Sequence, residues 1–203
     1  MFRTVLAATA CVSLMLAPAA MAAPSGPSKV IADMPSGHYV IDKTHASLTA
    51  RLMHLGFSNY TLRFNGLEAS FDFDAAKPSE AKITATVDPS SIDTGLAAFN
   101  AKLSGDKWFN AAKFPVITFT STSLTLTGAN MGKLTGDLSF LGVTKPVTLD
   151  VVWNGFGPNW GGGTRTGFSA TTSIKRTDFG LSDYVPMVGD QVDLAIEIEF
   201  TKK

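Results

Sequence analysis

Residues 192–200 read Val192-Asp193-Leu194-Ala195-Ile196-Glu197-Ile198-Glu199-Phe200. Large apolar side chains recur at every second position, and acidic or small residues fill the gaps. Successive side chains of an extended chain project to opposite faces, so this stretch reads as a strand with one dry face and one wet face. The same period governs Leu67, Ala69, Phe71 and Phe73 against Glu68, Ser70 and Asp72. It returns in Ile83, Ala85 and Val87 against Lys82, Thr84 and Thr86.

Outward from these three stretches the pattern repeats along most of the chain. A long first strand is expected near His38 to His54, with Leu48, Ala50 and Leu52 on one face. Val116 to Leu126 is rich in Thr and Ser, and its apolar phase flips near Ser121 to Ser123, which signals a bulge. Leu134, Leu138 and Phe140 follow the Gly128-Ala129-Asn130 turn, then Val147, Leu149, Val151 and Trp153. Gly155 to Gly163 reads as a glycine-rich loop carrying Phe156 and Trp160, ahead of Phe168, Ala170, Thr172 and Ile174. Between Ser90 and Lys113 the period lengthens. Leu96, Phe99 and Leu103 stand at helical spacing, and Trp108 and Phe109 follow a short turn. The expected fold is all-β: eight antiparallel strands with one or two short helices closing an end. A sandwich and an up-and-down barrel both fit this count, and long strands joined by tight turns favour the barrel. Its inner face mixes large residues with Ala50, Ala69, Ala85, Gly136, Ala170 and Thr172. Eight strands enclose just enough space for a small ligand when the lining is not all large, so a packed core and an apolar cavity are the two outcomes.

The first 22 residues set the compartment. Arg3 begins a short basic start, Val5 to Leu16 is apolar apart from Thr9 and Ser13, and Ala20-Met21-Ala22 supplies small residues for a peptidase. That order is a secretory signal peptide cleaved near Ala22, and the apolar run is too short to span a bilayer of ~30 Å. The protein is therefore expected in the periplasm. Residues 23–37, rich in Pro, Ser and Gly, read as a flexible leader, and 38–203 as one β domain. Cys11 is the only cysteine and lies in the signal, which excludes disulfides and thiolate chemistry from the exported part. Basic and acidic side chains balance at 17 each and no basic run occurs, so nucleic acid is not an expected partner. No second apolar stretch approaches the length of a membrane span.

Few residues could carry chemistry. His45 and His54 are nine apart and face opposite sides of a regular strand, and no cysteine or acidic cluster accompanies them. An open zinc site needs about three protein ligands, so no metal and no other cofactor is expected. His54 is in phase with Leu48, Ala50 and Leu52, where it either caps a core or bonds a ligand's polar head. Arg176 shares the parity of Phe168 to Ile174 and points inward, towards Asp178, Asp183 or an anionic head, because a buried guanidinium needs a partner. No Gly-x-Ser-x-Gly, HExxH or phosphate-loop motif occurs.

Several ordered motifs resemble the YceI-like family. They include Tyr39-Val40-Ile41-Asp42 with His45, His54-Leu55-Gly56-Phe57-Ser58, Ser91-Ile92-Asp93-Thr94 and Lys113-Phe114-Pro115. Gly142-Val143-Thr144-Lys145-Pro146-Val147 is the most specific, and Trp160-Gly161-Gly162, Gly167-Phe168 and Asp178-Phe179-Gly180 complete the order. The resemblance covers about His38 to Lys203. It implies a lipocalin-like periplasmic barrel that holds a polyisoprenoid or related amphiphile, quinone-like lipids included, in a long apolar channel. Some relatives work beside cytochrome b561-type membrane proteins. Where many relatives carry Arg-Asp and a His, this chain has Phe99-Asn100-Ala101-Lys102, and Leu62 stands where Gly is frequent. The expected function is a carrier of such a lipid, with Phe64, Phe71, Phe119, Leu138, Trp153 and Phe168 lining the channel and His54 and Arg176 near its polar end. The competing reading is an enzyme acting on a lipid or quinone with His45 or His54 as base, which requires a His and an acid in hydrogen-bond reach within a deep pocket.

Overall fold

The computed structural model describes residues 26–203, and the signal-peptide reading of residues 1–22 lies outside them. Ten strands form one closed antiparallel sheet: β1 (Gly37–His54), β2 (Ser58–Phe64), β3 (Leu67–Phe73), β4 (Lys82–Val87), β5 (Ile92–Asp93), β6 (Ile117–Leu126), β7 (Met131–Phe140), β8 (Val143–Pro158), β9 (Thr164–Lys175) and β10 (Gln191–Lys202). β2 and β3 both pair with β1 and are two halves of one kinked strand. β5 adds only the pairings Arg63↔Asp93 and Phe64↔Ile92. The barrel therefore has eight staves, each beside its neighbour in sequence, closed where β10 returns to β1 between Tyr39↔Lys202 and Arg51↔Asp193. Closure removes both sheet edges, which a sandwich would keep.

Two bulges shape the barrel wall. The register of β6 against β7 shifts between Ser121 and Ser123, where the apolar phase flips. Ser121 turns inward there and its Oγ accepts the Ile83 N–H at 2.9 Å. A second shift, between Ile41 and Ala46 of β1, throws Asp42 to His45 outward. The helical segment contributes one α-helix, α1 (Ala97–Ser104), and turns that continue to Lys113. Leu103 buries α1 against Ala50, Leu62, Phe64 and Ile92 at one end of the barrel.

The opposite end is plugged. Tyr39, Phe71, Phe73, Trp153, Phe200 and Met34 make one buried cluster, with Tyr39 stacked on Phe71 at 5.0 Å and Phe71 edge-on to Phe200 at 4.9 Å. Its two polar groups are satisfied: the Tyr39 hydroxyl donates to the Pro35 carbonyl and the Trp153 indole to Thr166 Oγ1. Two sequence expectations change here. From residue 26 the leader is packed down, because Ser28 exchanges two backbone hydrogen bonds with Phe156 and Met34 is 1 % exposed. Gly155, at φ +106°, permits this approach, since a Cβ there would lie 2.5 Å from the Ser28 carbonyl. Phe156 is also part of β8, stacked 6.3 Å from Trp153, so the loop shrinks to the residues around Trp160.

Candidate functional site

Between the plug and α1 the barrel encloses a cavity of about 670 Å3, within the range of small-molecule sites. The dry faces of the strands make its wall. β10 supplies Val192, Leu194, Ile196 and Ile198, β9 supplies Ala170, Thr172 and Ile174, and β4 supplies Ile83, Ala85 and Val87. Ala50, Ala69, Ala85 and Ala170 leave the space that larger side chains would fill. Gly136 acts differently. It lies under the Phe119 ring, and a Cβ there would come within 2.4 Å of Phe119 Cζ and 2.6 Å of the Thr120 carbonyl. The missing side chain leaves room for the edge of the Phe119 ring.

Of the eight residues expected at the site, six line this cavity: His54, Phe64, Phe119, Leu138, Phe168 and Arg176. Phe71 and Trp153 do not. They face inward but belong to the plug, beneath Phe168 and Phe200, which form the cavity floor. Alternation specifies a side chain's face and carries no measure of its depth along the barrel axis.

The mouth lies at the α1 end. It is framed by Phe99, Lys102 and Trp108 of the helical segment, by the β1–β2 turn at Leu55 and by the loop at Tyr184 to Val188. Aromatic contacts brace it: Tyr60 edge-on to Phe99 at 5.9 Å, Phe64 to Phe109 at 5.6 Å and Trp108 stacked on Tyr184 at 6.0 Å. The non-strand aromatics Phe99, Trp108, Phe109 and Tyr184 were missed as lining residues, although aromatics at positions 99, 108 and 109 of a short helical segment were the available signal. Among the described residues no acidic side chain lines the cavity, while His54, Lys102 and Arg176 do.

Arg176 ends up with a different partner from the one expected. It opens a short 3-10 turn at the end of β9 and is 6 % exposed. Its guanidinium donates to the backbone carbonyls of Gly189 (2.9 Å), Leu181 (2.7 Å), Asp183 (2.8 Å) and Val188 (3.0 Å). Among the described residues no carboxylate bonds it directly. Burial pulls its pKa down, while the nearby charges of Asp190 and Asp183 push it back up. Arg176 is thus the clasp of the 181–189 loop, with most of its N–H groups already used.

The histidines also separate. His54 stands exposed at the mouth. His45 lies on the outer surface at the β1 bulge, its Nδ1 3.0 Å from Asp42 Oδ2, with Glu199 close by. Asp42 is three residues from His45, but Glu199 joins them only through the β1 bulge and the β1–β10 pairing, which leave no local trace in the sequence. Arg165 spans both carboxylates, at 2.8 Å from Asp42 and in direct contact with Glu199, so one guanidinium offsets part of their combined charge. Thr44 and His45 hydrogen bonds, with Arg165, hold the Asp42 carboxyl well below the usual range against an opposing effect of burial. Among the described residues the His–carboxylate pairs are His38–Asp72 and His45–Asp42, and neither borders the cavity.

The family model for the YceI-like domain matches residues 39–200. A UPF0312 protein of Pseudomonas fluorescens is 42 % identical over 171 residues, covering 81 % of this chain and 86 % of its own. The crystal structure of the Campylobacter jejuni YceI protein, 34 % identical, superposes with a TM-score of 0.67 over 74 % of this chain and 90 % of that one. A polyisoprenoid binding domain from Saccharophagus degradans, implicated in plant cell wall breakdown, shares the fold at 16 % identity, with a TM-score of 0.60 over 83 % of this chain and all of its own. The chain belongs to the YceI-like domain family.

Proposed function

We propose that this protein binds and carries a polyisoprenoid or a related amphiphile, such as a quinone-like lipid or a fatty amphiphile, with its chain in the cavity and its head at the mouth. The observation that carries this reading is the shape and chemistry of the cavity: an apolar tube of about 670 Å3, plugged at one end and open at the other. Magnitudes favour a long chain. Each buried methylene contributes about 0.8 kcal/mol, whereas association costs roughly 4–15 kcal/mol before any gain is seen. A ten-carbon chain, at about 8 kcal/mol, barely offsets that cost, and a twenty-carbon chain exceeds it. The polyisoprenoid ligand named for the Saccharophagus degradans neighbour supports the same class.

The enzyme reading finds no support in the placement of the histidines, since the paired His45 and Asp42 lie outside the cavity and His54 has no acidic partner among the described residues. Residues 1–22 support a periplasmic site of action, which N-terminal sequencing of the exported protein tests by a start at Ala23. Native mass spectrometry of protein purified from the periplasm tests the carrier reading. A co-purifying lipid is expected, and repeated solvent extraction that yields none overturns it.

A further inference from the structure

The mouth is bordered by two turns that keep large apolar side chains in water. Leu55 and Phe57 stand on the β1–β2 turn, Phe57 89 % exposed, and Tyr184, Val185 and Met187 on the loop beside it. Neither residues 55–60 nor residues 184–189 include a charged side chain. Isolated exposed apolar residues are ordinary, but a contiguous, charge-free set around a pocket is not.

These turns form one braced unit. The Leu55 N–H donates to the Met187 carbonyl and the Gly189 N–H to the Met53 carbonyl, both at 2.8 Å. Arg176 holds the second turn from beneath through four carbonyls. A buried guanidinium thus fixes a loop whose own side chains are left outside. Beside this ridge stand Lys102 and the stacked Trp108–Tyr184 pair, an aromatic and a cation at the edge of an apolar surface. That is the order of groups met on passing from acyl chains to head groups.

We propose that this ridge is a bilayer-docking face: Leu55, Phe57, Val185 and Met187 enter the acyl layer and seat the mouth on it. The proposal rests on the carrier reading, because a long apolar chain enters or leaves the cavity only through the mouth, the far end being plugged. A water gap between mouth and membrane would expose that chain, whereas an apolar rim set into lipid removes the gap. A bilayer is therefore the occupant that cavity and ridge require together.

Flotation of the purified protein with phosphatidylethanolamine–phosphatidylglycerol vesicles tests this. Wild-type protein is expected to float and to remain bound at high salt, where purely electrostatic attachment is screened. Phe57→Ser, which alters a side chain outside the cavity wall, should lower the vesicle affinity about tenfold or more. Trp160→Ser, which removes an equally exposed ring near the plugged end, should leave it unchanged. Uptake of a short, water-dispersed prenol without vesicles is measured in parallel and should match wild type in both variants. Wild-type protein that does not float, or equal losses in the two variants, overturns the docking face. Failure of every form to take up the prenol removes the carrier reading instead, whatever the vesicles show.

Discussion

Arg176 donates to four backbone carbonyls of its loop and, among the described residues, to no carboxylate. A lysine offers a point charge in place of a planar fork and cannot reach all four. Arg176→Lys is expected to cost about 2–3 kcal/mol, from carbonyls left under-satisfied in a buried setting, read as a lower midpoint of urea unfolding. Asp42 makes a different prediction. Its folded pKa lies below the ordinary value of 3.8, so its contribution is fully present above that value and fades as pH falls through the folded one. Asp93, Asp190 and Asp193 shift the same way, through the Gly95 N–H, the Thr177 N–H and the Ser173 hydroxyl respectively. Stability should hold from neutral pH to about 4 and fall below it. In Asp42→Asn it should be lower at neutral pH by roughly 1–2 kcal/mol, with a shallower acid decline, as chemical denaturation at a series of pH values would show. The identity and inward direction of Arg176 were legible from its parity with Phe168 to Ile174. Its partners were not, since backbone carbonyls five to thirteen residues onward have no side-chain signature.

Among the elements, β7 depends on having no side chain at Gly136. A methyl group there meets the Phe119 ring and the Thr120 carbonyl below normal contact distance, and only the ring can move. Gly136→Ala is expected to destabilise by about 1–3 kcal/mol and to push Phe119 into the cavity, so affinity for a long-chain prenol falls more than for a short one in a titration series. The eight staves, the β6 bulge and the helical segment follow from periodicity, because a strand with one dry face must alternate. Depth along the axis leaves no such trace. Phe71 and Trp153 have the same inward parity as Phe119 and Leu138 and yet belong to the plug. Residues 26–36 mislead for a related reason. Their composition suits a loose leader, but Met34 supplies the apolar contact that seals the barrel.

For the molecule as a whole, one plug and one mouth give the cavity a finite length. Affinity for a homologous series of prenols or fatty acids should climb with each added unit while methylenes remain to be buried, then level off once about 670 Å3 is filled. Calorimetric titration across the series would show the break, and a rise without limit would mean that the plug yields.

The pairing of β1 with β10 has a consequence in time. Tyr39 meets Lys202 across almost the whole domain, so the ring cannot close until the final strand has been made. Contacts this distant in sequence slow folding, because a long loop must be closed before they give any return. A chain emerging from the ribosome therefore lacks its last stave while every other one is already present. Until it arrives the sheet stands open, with the unpaired flanks of β1 and β9 free to pair with another chain.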